Sequence, residues 1–67
     1  MTSDEIETMN LARASLARQR GALARRIGAS EAAAPSAAED LTRILLAIEA
    51  VDRALVDAGR PYVPAER

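Results

Sequence analysis

The chain has no cysteine, histidine, phenylalanine, tryptophan or lysine. Without cysteine there are no disulfides and no thiol chemistry. Without histidine and cysteine there is no imidazole base, no thiolate nucleophile and no ordinary zinc site, and without lysine there is no Schiff-base amine. Di-iron helical bundles need Glu-x-x-His pairs that this chain does not supply. Ser3, Ser15, Ser30 and Ser36 have no base to activate them, and the three isolated glycines form no phosphate-cradling loop. Only carboxylates remain for acid–base work, and the i,i+3 pair Glu49 and Asp52 reads as solvated or arginine-paired. The expectation is a protein that is not an enzyme and takes no cofactor, metal or small-molecule substrate.

Opposite charges nearly cancel: nine arginines against ten acidic residues give a net charge of −1. No global attraction to nucleic acid or to an anionic membrane follows from that balance. Arginine without lysine, beside sixteen alanines, is the composition of a GC-rich coding sequence, more often bacterial. The opening "MTSDEIETMN" is acidic and lacks an apolar core of signal-peptide type. No apolar run approaches the ~20 residues that a membrane span needs. A cytoplasmic protein without membrane association is expected.

What is present is helix. "TSDE" has the form of a capping box, with Thr2 as N-cap and Glu5 three residues on. Acidic Asp4, Glu5 and Glu7 open the segment, and Arg18, Arg20, Arg25 and Arg26 crowd its end, both favourable to the helix macrodipole. Met9, Leu16, Leu23 and Ile27 fall on one stripe, with Ile6 and Ala12 at its edges. This predicts a first helix over about residues 3–27, with Gly28 as its C-cap.

The second helix has the stronger pattern. Ala37, Leu41, Ile44, Ile48, Val51, Leu55 and Ala58 follow an unbroken 4-3-4-3-4-3 spacing, an a/d seam. Ser36 reads as its N-cap, with Glu39 as capping-box partner, and "AGRP" places Gly59 at C′ with Pro61 beyond. A helix over about 36–58 follows, with a connection over about 28–35 and an extended tail over 59–67. The alanines before Pro35 leave open whether helix 1 continues through Ala29–Ala34. Tyr62 and Val63 are expected to fold back on the open end, near Ile6 and Met9.

Two helices of matched length with a short connection predict one all-α domain, an antiparallel hairpin. Its seam would be built from Met9, Leu16, Leu23 and Ile27 against Leu41, Ile44, Ile48, Val51 and Leu55. Chains of this size rarely build a sufficient core alone. Dimerisation into a four-helix bundle is the natural remedy, and Leu45 and Val56, off the seam of helix 2, supply a flank for it. Arg13 and Arg20 continue the Ile6-to-Ile27 line, and a hairpin closing near residues 33–34 brings Arg13 level with Asp52 or Leu55, and Arg20 with Ile48 or Glu49. That predicts an ionic layer of Arg13, Arg20, Glu49 and Asp52, or arginines that snorkel from the seam edge.

Leu11 and Leu46 project away from the seams and form a candidate surface for a partner, such as a helical segment of another protein. The functional reading that follows is a small protein–protein interaction module: an adaptor, co-chaperone or regulatory subunit. An alternative uses the outer face of helix 1, where Asn10, Arg18 and Arg25 cluster; a basic helix face positions phosphates. The opening "MTSDEIETMNLAR" resembles the start of the Rop family of plasmid copy-number regulators in Met1, Thr2, Glu5, Asn10, Ala12 and Arg13. The resemblance implies a helical-hairpin dimer that binds paired RNA loops, with Asn10 matching outright and Arg18 and Arg25 as basic equivalents. The likeness ends at Arg13. Beyond it the apolar seam is shifted by one position, and Ala14 stands where the family has phenylalanine. The acidic pI of about 5.3 and the lack of aromatic platforms also make nucleic acid the weaker expectation.

Overall fold

The computed structural model describes residues 1–29 and 35–63. Among them there are two helices and no strand: α1 over Ser3–Ala29 and α2 over Pro35–Asp57. The capping box at the start of α1 is closed from both sides. The Thr2 backbone N–H donates to Glu5 Oε1 at 2.7 Å, and the Glu5 N–H donates to Thr2 Oγ1 at 3.1 Å. Two otherwise unpaired donors of the first turn are thereby satisfied.

Gly28 does not cap α1. It lies inside the helix, which runs on to Ala29, and its φ is not positive. A glycine acts as a C-cap only where the chain turns into the left-handed region, and this one continues the helix before the strong helix former Ala29. The expected connection and turn fall on residues 30–34, which lie outside the described residues.

α2 begins one residue earlier than its sequence signals suggest. Pro35 is the first helical residue, where its missing N–H removes no hydrogen bond and its fixed φ suits the helix. Ser36 is therefore within the first turn and is not the N-cap, a position that falls outside the described residues. The far end follows the expected chemistry. Gly59 has φ +75°, its N–H donates to the Val56 carbonyl at 2.9 Å, and the Arg60 N–H donates to the Leu55 carbonyl at 2.8 Å. This pair of bonds is a Schellman motif, which satisfies carbonyls the helix end would leave open.

The helices pack side by side and antiparallel. Arg13 meets Asp52, while farther along α1 Leu23 lines a groove with Ile44, which lies earlier on α2. Only Ile6, Ala37, Ile48 and Leu55 are buried among the described hydrophobic residues. The molecule measures 44 × 24 × 14 Å, so its thinnest dimension is little more than the ~10–12 Å diameter of a single helix. Two helices form a slab with two broad faces and, among the described residues, no second layer on either.

Candidate interaction surfaces

On α1, the residue that packs most deeply is Ile6; Met9, Leu16, Leu23 and Ile27 are half-buried. The expected apolar stripe is thus a flank of the contact, whose centre is turned toward Ile6 and Arg13. Arg13 explains the turn. Its side chain is only 16% exposed, with Nε donating to Asp52 Oδ1 at 2.8 Å across the helix interface. On α2, Ile48 and Leu55 are buried, while Leu41, Ile44 and Val51 are half-buried around them.

The other half of the expected ionic layer does not form. Arg20 is half-buried and Glu49 is exposed, and they make no ion pair. Among the described residues the other ion pair lies within α2, between Arg43 and Asp40 at 3.2 Å, with both side chains largely in solvent. Of the two tail residues expected to fold back, Val63 is exposed and Tyr62 does so, with its ring centroid 4.9 Å from the Arg13 guanidinium carbon. Sequence reasoning missed this stacking, although the sole aromatic residue beyond a helix end, with an arginine on the contact line, was the available signal.

Rotation at 3.6 residues per turn sorts the remaining side chains onto the two faces. One face of the slab carries Leu16 and Leu23 from α1 with Ile44, Ala47, Val51 and Ala54 from α2, all half-buried. The opposite flank of α2 carries Asp52 with Leu45 and Val56, which are 44% and 58% exposed. Leu11 and Leu46, 67% and 60% exposed, project from opposite long edges and do not meet in one patch. Arg18 and Arg25 are exposed, but Asn10 is half-buried and its Oδ1 is covered and without a hydrogen-bond partner. These three therefore do not make one open polar face.

At the N-terminus, hydrogen bonds from Thr2, its backbone N–H first, hold the Glu5 carboxyl below the usual glutamate range. Among the described residues no helix is long and apolar enough to cross a membrane. No family model matches this chain, and neither a curated protein nor a solved structure shows significant similarity to it.

Proposed function

We propose that the chain is a non-enzymatic protein–protein interaction module of the cytoplasm, a helical hairpin whose two copies form a four-helix bundle and which serves as an adaptor, co-chaperone or regulatory subunit. The observation that carries this reading is surface. The chain exposes 4985 Å², whereas a folded monomer of 7.1 kDa is expected to expose about 4,100 Å². Its radius of gyration, 13.8 Å, likewise exceeds the ~11 Å of a compact domain of this length. The difference in area, about 900 Å², is close to the ~800 Å² that one partner contributes to a stable interface.

Folding coupled to association makes the melting temperature depend on protein concentration. Thermal unfolding followed by circular dichroism tests this directly. The Tm is expected to rise by several degrees for each tenfold increase in concentration. A Tm independent of concentration would rule out the bundle. The RNA-binding alternative draws less support, since Arg18 and Arg25 are open to solvent but Asn10 Oδ1 is not.

A further inference from the structure

The two faces of the slab are not equivalent, and the difference indicates which one a second copy covers. The Asp52 side already holds the Arg13 ion pair, with Tyr62 from the tail stacked on the same guanidinium. The other face carries Leu16, Leu23, Ile44 and Val51, and its groove beside Leu23 and Ile44 is bordered by Arg26, Asp40 and Arg43. Its charged groups lie away from the Leu16 level, with Asp4 and Glu5 toward one end and Arg26 with the Asp40–Arg43 pair toward the other. Seen in projection the slab measures 44 × 24 Å, roughly 1,000 Å², enough for the ~800 Å² per partner of a stable interface.

Register follows from the same residues. α1, Ser3–Ala29, is centred on Leu16, and the Arg13–Asp52 contact places Leu16 level with Glu49 of α2. A two-fold axis lying across both helices at that level stacks each helix on its own copy, running antiparallel. Leu16 then meets the partner's Leu16, and Met9 meets the partner's Leu23. On α2, Ile44 meets the partner's Ala54, and Val51 meets the partner's Ala47. On α2 large side chains thus oppose small ones, as interdigitating layers require. Asp4 and Glu5 fall beside the partner's Arg26. Between Thr8 and Ala29, α1 contains five arginines and no acidic residue, so an antiparallel pairing of α1 with itself sets acidic ends against basic ones. A parallel pairing would stack like charges.

We infer that a second copy of this chain docks on the face bearing Leu16, Leu23, Ile44 and Val51, about a two-fold axis that passes Leu16, and that Leu45 and Val56 lie outside this interface. The inference rests on the dimer proposed above and specifies its geometry. Because the chain has no cysteine, single-cysteine variants give an unambiguous readout. With a short bis-maleimide linker, Leu16→Cys is expected to be captured almost wholly as covalent dimer, whereas Leu45→Cys and Leu46→Cys remain uncoupled. A dimeric protein in which Leu45→Cys couples and Leu16→Cys does not would overturn the assigned face and leave the dimer standing. Monomeric mass in all three variants and in the unsubstituted protein would overturn both. Val51→Glu provides an independent check: it is expected to weaken self-association at least tenfold, and Leu45→Glu less than twofold. The reverse ranking contradicts the inference.

Discussion

Arg13 and Asp52, on different helices and distant in sequence, meet through a single hydrogen-bonded ion pair of 2.8 Å between Nε and Oδ1. The two ends of that contact differ: the arginine side chain is 16% exposed and the aspartate 40%. Solvent at Asp52 limits the strength of the pair, while the half-buried guanidinium has Asp52 and the Tyr62 ring as partners.

A double-mutant cycle of Arg13→Met and Asp52→Ala, followed by urea denaturation, is expected to give a coupling of about 1 kcal/mol. Arg13→Lys should recover less than half of it, because an ammonium has no Nε in the guanidinium plane and stacks poorly on Tyr62. A coupling indistinguishable from zero would show the pair to be incidental.

The two glycines near the helix ends should respond to alanine with opposite signs. Gly59 adopts φ +75°, so Gly59→Ala is expected to cost roughly 1–2 kcal/mol. Gly28 is helical and an added Cβ would meet nothing within 4 Å. Gly28→Ala is therefore expected to stabilise by roughly 0.5–1 kcal/mol. Thermal melts at one fixed protein concentration read both changes, and a loss of stability in Gly28→Ala contradicts the helical assignment there.

With so small a core, each member carries a large share. Leu55 is wholly buried, and Leu55→Ala is expected to cost about 2–5 kcal/mol, enough to unfold much of the population at micromolar concentration. Leu46 is 60% exposed, and Leu46→Ala should fall within about 0.5 kcal/mol of the parent. Helicity by circular dichroism separates the two.

Glu5 introduces a pH dependence with a definite sign. Its carboxyl is held below the ordinary range by the hydrogen bonds from Thr2. A depressed folded-state value means that the contribution to stability is complete above the unfolded value of about 4.3. It is then lost as pH falls through the lower folded value. Thr2→Pro removes both the donating N–H and the hydroxyl, and should return the Glu5 titration, followed by carboxyl-carbon NMR, to the usual glutamate range. An unchanged midpoint would show that the capping box does not cause the shift.

Much of this architecture was legible from residue pattern. The unbroken spacing from Ala37 to Ala58 marked α2 because every seam position is apolar and none is interrupted by charge. Helix 1 was harder to read in rotation. Arg13 and Arg20 occupy the contact line, and an apolar count discards arginines whose stems are buried; the large residues Met9, Leu16, Leu23 and Ile27 then mark the flank and not the centre. Ile6 was placed at an edge for the same reason. Gly28 was misread because glycine serves both helix interiors and helix ends, and only the backbone conformation distinguishes them. A hairpin closing near residues 33–34 brings Arg13 level with Asp52 or Leu55, and the ion pair selects Asp52. The stacking of Tyr62 on that pair was not legible, since a tail with Pro61 has no period from which to infer its path.

Sedimentation equilibrium on the purified chain tests most directly whether this hairpin is half of a bundle. The expected mass is twice the 7.1 kDa of one chain throughout the concentration range in which the protein is helical. A fully helical species sedimenting at 7.1 kDa would contradict it.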